Sequence, residues 1–280
     1  MSVEIYRSEE GAAEVSRRYR EVLDDWPVPA RQMWVPTCEG DTFVLVSGPS
    51  DAPPLVLLHG AGANASMWRA DITSWARHFR TYAVDVVGEP GLSAPSRPAL
   101  NSQAPARWLD DVLDGLGLTS ASVTAASFGG WLAVDYAVRR PARVTKLALL
   151  CPGGLGRQRT GRVLRALLVR PFGRWGARRS VRSLTGLNSP QDASVLESVL
   201  LTFAHFKPRR EPLPRFSDEA LRSLTMPVQV TVGDRDAMFD SGETARRVRH
   251  CLPQAEVHEL PGTGHAVLGR TDSVLAFLQS

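Results

Sequence analysis

The chain has 280 residues, of which 43% are hydrophobic and 22% charged, a balance typical of folded soluble proteins rather than disordered ones. This length allows one large or two small domains, whose core needs no disulfide or metal. The three cysteines are scattered, without metal-type spacing. No apolar run is long enough to span a bilayer, and the first residues lack the pattern of a signal peptide. These features predict a cytoplasmic protein that is not transmembrane.

The formal net charge of +4 is distributed unevenly along the chain. Between Asp135 and Asp192 there is no acidic residue but 13 lysines and arginines, so the rest of the sequence is net acidic. A basic block can attract an acidic substrate, an acidic carrier protein or an anionic surface, or it can be a solvated face. The acidic remainder and the lack of a binding motif argue against nucleic acid.

The amino-terminal part, residues 1–29, is predicted to be a helical extension. Residues 8–25 have amphipathic spacing, with Ser8 as N-cap, and Pro27 ends the helix. Two alternating runs follow, Gln32–Thr37 and Thr42–Ser47, separated by Glu-Gly-Asp. This pattern predicts a β-hairpin at the edge of a sheet.

Residues 30–151 and 216–280 form the predicted core, in which continuous apolar strands alternate with helices. Such alternation predicts an α/β fold, a mostly parallel twisted sheet with helices on both faces. The predicted strands are Leu55–Leu58, Thr81–Val87, Ser122–Ala126, Val144–Leu150, Val228–Val232 and Ala255–Leu260. The predicted helices are Ser66–His78, Ala104–Leu116, Phe128–Arg139, Gly242–Cys251 and one from about Ala266.

Residues 152–215 interrupt this alternation. The segment begins with Pro-Gly-Gly, and its helical runs are Val163–Arg170, Val181–Leu187 and Ala193–Phe206. We interpret it as a helical cap inserted after a strand, above the carboxyl edge of the sheet.

The run Val123-Thr-Ala-Ala-Ser127-Phe-Gly-Gly-Trp131 places a serine between a strand and a helix. Small residues stand two positions before it, Ala125, and two after it, Gly129. A tight strand-to-helix turn strains the serine backbone and leaves no room for bulky neighbours. The hydroxyl is then exposed at a helix N-terminus, which favours negative charge. The spacing therefore predicts a nucleophilic serine.

Three further runs also follow predicted strands. His59-Gly-Ala61-Gly gives a loop whose N–H groups could face an oxyanion, Gly233-Asp-Arg-Asp236 supplies a carboxylate, and Gly262-Thr-Gly-His265 supplies an imidazole at the start of the last helix. Open α/β sheets carry their sites at these carboxyl ends. The chain order Ser, Asp, His is the one expected for this type of nucleophile turn.

With these four motifs, over roughly residues 30–280, the sequence resembles the α/β-hydrolase superfamily and in particular its capped, carboxylesterase-like members. The resemblance implies the α/β-hydrolase fold, with Ser127 as nucleophile, His265 as general base and Asp236 as its orienting acid. It implies the backbone N–H groups of Ala61 and Phe128 as the oxyanion hole. Asp234 and the weaker candidate Asp240 remain alternatives for the acid.

Two departures from the family pattern concern the turn and the pocket. Ala125 stands where a glycine is usual, and Glu89 lies in a loop where many relatives have a Gly-His-Gly-type sequence. Glu89, Trp68 and Met238 are candidate pocket residues, although Trp68 and Met238 fit core packing equally well. His59 is predicted to be structural, bonding neighbouring loops.

The predicted function is a serine hydrolase that cleaves a carboxylic ester, lactone or thioester of a small molecule. The alternative is a non-hydrolytic ligand receptor, cyclase or acyltransferase on the same scaffold, since a fold does not fix its function. A perhydrolase or a carbon–carbon bond hydrolase would use the same three residues. The sequence has neither a P-loop nor a metal-ligand cluster, so no cofactor or metal is expected.

Overall fold

The computed structural model describes residues 5–168 and 172–280 of the chain. Within these ranges the strands form one eight-stranded sheet, in the order β1-β2-β4-β3-β5-β6-β7-β8. The strands are β1 (Ala30–Val35), β2 (Thr42–Ser47), β3 (Pro54–Leu58), β4 (Arg80–Val84), β5 (Ala121–Ala126), β6 (Val144–Leu150), β7 (Val228–Gly233) and β8 (Glu256–Leu260).

The pairing of the strands confirms the predicted mixed sheet. β1 and β2 form an antiparallel hairpin, in which Ala30 pairs with Ser47, and β2 joins β4 antiparallel. All pairs from β4 to β8 are parallel. Their carboxyl ends therefore share one edge, which is where the four sequence motifs lie.

Helices cover both faces of the sheet. Those of the described residues are α1 (Glu9–Asp24), α2 (Arg69–Trp75), α3 (Ala104–Gly115), α4 (Ser127–Arg139), α5 (Thr160–Leu167), α6 (Gly173–Thr185), α7 (Ala193–His205), α8 (Asp218–Arg222), α9 (Ser241–Cys251) and α10 (Thr271–Gln279). Two apolar clusters, one on each face, include Leu109 and Trp131 on one side and Leu57 and Trp75 on the other. In the part of the chain described, no helix is long and apolar enough to cross a membrane.

The amino-terminal helix α1 packs on the core rather than standing apart from it. The Ser8 hydroxyl accepts a hydrogen bond from the Gly11 N–H, which confirms the predicted N-cap. The side chains of Tyr19 and Leu23 are buried in the second apolar cluster. The extension therefore contributes to the packing of the sheet.

Helices α5 to α7 lie between β6 and β7 in the chain, within the segment that the sequence predicted as an insertion. β6 and β7 pair directly in the sheet. The first two helices of this insertion begin earlier than predicted, since α5 starts at Thr160 and α6 at Gly173, whereas α7 begins at Ala193 as predicted. Arg170, the predicted end of the first one, lies outside the described residues. α5 packs against α6, α6 against α7, and α7 against α1.

In the core, two further predicted helix boundaries are wrong. The predicted helix Ser66–His78 is a short 3-10 turn, Ala65–Trp68, followed by α2. The last helix begins at Thr271, not near Ala266. The Ala266 N–H instead donates to the Thr185 carbonyl of the insertion, 2.8 Å away, and Gly269 has φ +67°, a conformation that ends a helix rather than continuing one.

Candidate active site

Ser127 stands at the sharp turn between β5 and α4. Its φ is +50°, in the left-handed region that costs a side-chain-bearing residue about 1–3 kcal/mol. A Cβ on Gly129 would lie 2.3 Å from the Leu58 carbonyl oxygen. The neighbouring strand end therefore excludes any side chain at that position, and this is the physical reason for the small residue that the sequence shows.

Three polar side chains meet in a line at the carboxyl edge. The Ser127 Oγ is 2.9 Å from His265 Nε2, and His265 Nδ1 is 2.8 Å from Asp236 Oδ2. Asp236 is 1% exposed and His265 8%, whereas Ser127 is partly accessible. His265 lies in the loop after β8, six residues before α10, and not at the start of the helix as predicted.

Asp236 is held by the backbone of the loop after β7. Its Oδ1 accepts the Met238 N–H at 2.6 Å and the Phe239 N–H at 3.0 Å, which leaves Oδ2 directed at His265. The Phe239 ring packs edge-on against the imidazole, with centroids 5.2 Å apart. Sequence reasoning did not select Phe239, and its hydrophobic character alone does not distinguish it from a core residue.

The two alternative acids lie elsewhere. Asp234 is exposed. Asp240 is the N-cap of α9, where its side chain accepts the Glu243 N–H at 3.0 Å and pairs with Arg159 at 3.4 Å. The hydrogen bond from the Glu243 N–H lowers the pKa of Asp240. The geometry thus places Asp236, and neither alternative, beside the imidazole.

The loop after β3 lies against the serine. A Cβ on Gly60 would be 3.3 Å from the Ser127 Cβ, and the exposed Ala61 follows directly. Phe128 belongs to the first turn of α4, where N–H groups have no partner within the helix. The backbone N–H groups of Ala61 and Phe128 therefore belong to two segments that adjoin the Ser127 hydroxyl.

Glu89 is fully buried behind this loop. Its Oε2 accepts the Gly62 N–H at 2.6 Å, while Oε1 has no hydrogen-bond partner. Burial raises the pKa of Glu89 to about 7, although the Gly62 N–H and the charges of Arg97 and Arg209 oppose this shift. Glu89 therefore fixes the residue next to Ala61, so its contact is with the loop and not with an open pocket.

Asp85, directly after β4, is another buried carboxylate, and sequence reasoning missed it. Its Oδ1 accepts from the Tyr19 hydroxyl and the Ala65 N–H, and its Oδ2 accepts from the Leu92 N–H. Burial raises its pKa to about 6. Asp85 links α1 to the loops after β3 and β4, and an acidic residue directly after an apolar strand was the available signal.

The contacts of His59 confirm its predicted structural role. Its Nδ1 donates to the Gly60 carbonyl at 2.8 Å, and its Nε2 accepts the Val86 N–H at 2.9 Å. Burial lowers its pKa to about 4, so the ring is neutral and joins the loops after β3 and β4.

The other two candidate pocket residues differ in their surroundings. Trp68 is 1% exposed and packs against Trp75 within the core, which favours the core-packing alternative. Met238 is half-buried next to Asp236, and its carbonyl accepts the Arg159 N–H at 2.8 Å.

The insertion contacts the loops of His265, Gly62 and Ser127. A Cβ on Gly186 would lie 2.7 Å from the Gly264 Cα, so the end of α6 touches the loop of His265. The Phe203 ring of α7 lies over Gly62. The Gly153 N–H donates to the Ser127 carbonyl at 3.0 Å. The insertion therefore touches loops that follow β3, β5 and β8.

Comparison with known proteins identifies similar sequences. A family model described as "Alpha/beta hydrolase family" matches residues 55–277. The "Uncharacterized carboxylesterase nap" of Bacillus subtilis (strain 168) is 31% identical over 271 residues, which cover 89% of this chain and 85% of that protein. The carboxylesterase YbfK of the same organism is 30% identical over 256 residues, covering 88% and 86%.

Two solved Bacillus subtilis structures are similar over almost their whole length. Carboxylesterase CesB (YbfK) has a TM-score of 0.83 at 28% identity and covers 96% of this chain and 98% of its own. Naproxen esterase (carboxylesterase NP) has a TM-score of 0.82 at 26% identity and covers 97% and 99%.

Proposed function

This chain belongs to the alpha/beta hydrolase family, and on that premise we propose that it hydrolyses a carboxylic ester, lactone or thioester through an acyl-enzyme on Ser127. The observation that carries the proposal is the unbroken hydrogen-bonded line from Ser127 through His265 to Asp236. Two relatives whose names include carboxylesterase, each aligned over most of this chain, support the ester as substrate class.

In the proposed mechanism, the Ser127 Oγ attacks the acyl carbonyl while its proton passes to His265 Nε2. Asp236 holds the Nδ1–H tautomer and stabilises the imidazolium that forms. His265 then returns the proton to the leaving alcohol or thiol as the acyl–heteroatom bond breaks. A water that gives its proton to His265 Nε2 then attacks the acyl carbon. The acyl–Oγ bond breaks, the acid leaves, and His265 returns the proton to Ser127 Oγ.

The N–H groups of Ala61 and Phe128 would stabilise the oxyanion of each tetrahedral intermediate. The loss of one such donor typically costs about 3–4 kcal/mol. We assign Glu89 as a positioning residue of this hole, because its carboxylate holds the Gly62 N–H and thereby the peptide next to Ala61. The chemistry needs no metal or cofactor.

Residues 152–215 are proposed to act as a cap over a small-molecule acyl substrate. Support comes from the contacts of Gly186, Phe203 and Gly153 with the three motif loops. Met238, half-buried beside Asp236, remains a candidate pocket residue on this edge. The arginines of the cap supply positive charge for an acidic substrate, an acidic carrier protein or an anionic surface.

The test is hydrolysis of p-nitrophenyl butyrate by the wild type and by Ser127→Ala. We expect kcat to fall by roughly 10⁴–10⁶, because the nucleophile is removed, while the melting temperature changes little. Ser122→Ala is the matched control, since Ser122 lies in β5, the strand that leads to Ser127, and bonds Thr145 instead. Unchanged turnover in Ser127→Ala would refute the assignment, and a wild type that binds the ester without turnover would favour a receptor.

A further inference from the structure

The described residues at the end of α5 and the start of α6, here called the α5–α6 corner, expose large apolar side chains. Of the seven large hydrophobic residues exposed in the described part of the chain, four lie here, with 63–69% of their surface accessible. We call these four the apolar tip: Leu164, Leu168, Phe172 and Trp175. Monomeric proteins rarely expose contiguous apolar side chains without a binding role.

Arginines are frequent on the same two helices as the apolar tip. The six of this basic rim in α5 and α6 are Arg162, Arg165, Arg174, Arg178, Arg179 and Arg182. Neither helix contains an acidic residue. Arg178 pairs with Glu197 of α7 at 2.8 Å, and the Arg179 guanidinium lies over the Trp175 ring, 5.6 Å from its centroid. The rim is therefore strongly positive where the apolar side chains are exposed.

A cleft connects this surface to the carboxyl edge. It has a volume of about 570 Å³, and one wall is formed by Trp175 and three arginines of α6. Its other wall includes Arg235 and Gly264, the residues directly before Asp236 and His265. The positive face is thus continuous with the two loops that hold the proposed acid and base.

The combination of charge and apolar exposure indicates which partner fits. An acidic protein would be attracted by the arginines, but it would leave four large apolar side chains without a role. A second copy of the same face would bring two arginine rims together, and their like charges repel. An anionic bilayer meets both features, because Phe, Leu and Trp enter the acyl boundary while arginines contact the headgroups.

We propose that the apolar tip and the basic rim dock on the surface of an anionic lipid bilayer. The docking turns the cleft next to His265 towards the interface, where amphiphilic esters accumulate. This last step rests on the proposed ester hydrolysis, whereas the docking does not. Of the three partners proposed above for the cap arginines, the docking selects the anionic surface.

The first measurement is co-sedimentation of Ser127→Ala with vesicles, so that no lipid is hydrolysed. We expect binding to phosphatidylcholine vesicles that contain 25% phosphatidylglycerol, at least tenfold weaker binding to pure phosphatidylcholine, and loss of binding as NaCl is raised. Tryptophan fluorescence should shift to the blue on the anionic vesicles, and this shift should be absent in Trp175→Phe.

Variants separate the apolar tip from the basic rim. Phe172→Ser/Trp175→Ser should weaken binding at least tenfold, whereas Trp34→Ser, which removes an exposed tryptophan from the distant strand β1, should not. Arg162→Gln/Arg174→Gln should weaken binding to the anionic vesicles and make that binding less dependent on salt. Arg31→Gln on β1 is the matched control and should leave both unchanged. Circular dichroism melts confirm that each variant is folded.

The docking would be overturned if the protein did not bind the anionic vesicles, or if Phe172→Ser/Trp175→Ser bound them as tightly as the protein without these two substitutions. It would also be overturned if sedimentation showed a dimer without lipid in which the Trp175 emission is already shifted to the blue. Preference for an acidic carrier protein over the vesicles would also overturn it. If wild type hydrolyses p-nitrophenyl butyrate but binds no vesicle, only the docking fails. If it binds vesicles but cleaves no ester, only the proposed function fails.

Discussion

The carboxyl-edge loops and the α5–α6 corner differ in the burial of their charged side chains. In the loops, buried carboxylates are fixed by backbone N–H groups, as Asp236 is by Met238 and Phe239. At the corner, charges are exposed and the large apolar side chains are exposed with them. Fixed geometry suits chemistry that depends on orientation, whereas an accessible charged and apolar surface suits association with a partner.

The insertion that carries the corner contacts the His265 loop at the far end of α6, where Gly186 lies against Gly264 and the Thr185 carbonyl accepts the Ala266 N–H. Through these contacts the insertion supports the loop of His265, so a change in one region can reach the other. The following variants alter the carboxyl-edge loops, the insertion or the contact between them, and their effects can be compared.

The largest effect is expected for Asp236→Asn. The Met238 and Phe239 N–H groups hold the single amide oxygen, so the amide NH₂ faces His265 Nδ1, the imidazole takes the wrong tautomer, and kcat should fall by about 10⁴. Asp234→Asn, on the same loop but exposed, is the control and should retain activity. Steady-state kinetics on p-nitrophenyl butyrate measure both, and the opposite ranking would assign the acid to Asp234.

The second prediction concerns Glu89, whose pKa rises from its ordinary value of 4.5 to about 7 on burial. The folded state therefore binds this proton more tightly than the unfolded state does. As a result, the contribution of Glu89 to the free energy of unfolding falls progressively as pH rises from about 4.5 to 7. The shift corresponds to about 3 kcal/mol. Glu89→Gln stays neutral, so its unfolding free energy should fall less than that of the wild type between pH 5 and 8.

Urea unfolding at both pH values measures the difference, with Glu10→Gln on the exposed face of α1 as control. If the pH dependence of Glu89→Gln equals that of the wild type, Glu89 does not ionise in this range. Asp85 titrates in both proteins and therefore cancels.

The third prediction tests the contact between the regions. Gly186 has φ +79°, and a Cβ there would lie 2.7 Å from Gly264 Cα. Gly186→Ala should lower the unfolding free energy by roughly 2 kcal/mol and kcat roughly tenfold, because strain and a collision displace the His265 loop. Gly117→Ala, with φ +71° and open space around it, should cost only about 1 kcal/mol of strain.

Equal kcat in the two glycine variants would show that the insertion does not support His265. Chemical denaturation and steady-state kinetics provide the two readouts.

The smallest effect is expected for Arg178→Gln. Its pair with Glu197 is exposed on both sides, so the unfolding free energy should change by less than about 0.5 kcal/mol. Arg139→Gln should cost more, because it leaves the buried carboxylate of Asp135 without its ion pair. A similar loss in both variants, measured by urea unfolding, would contradict this contrast.

Local patterns predicted most of the sheet and the line of three side chains. Continuous apolar runs mark strands buried on both faces, and the small residues around Ser127 mark the tight turn. The acid was harder to predict, because Asp234 and Asp236 stand two residues apart on one loop. Only the backbone bonds to Asp236 show which of them turns inward.

Other features depend on contacts between distant parts of the chain. The helix predicted from Ala266 does not start there, because the Ala266 N–H bonds Thr185 of the insertion. Glu89 has no local signal of burial, since its partner Gly62 is 27 residues away. The exposure of Phe172 and Trp175 is equally invisible to local pattern, because aromatic residues at helical spacing normally predict a core face.

The most direct test of the central claim is intact-mass analysis after reaction with a fluorophosphonate, in which an activated serine oxygen displaces fluoride. We predict a single adduct, mapped by peptide sequencing to Ser127, absent in Ser127→Ala and formed far more slowly in His265→Ala. Labelling of Ser127→Ala at the wild-type rate, or equal rates in wild type and His265→Ala, would contradict a nucleophile activated by that imidazole.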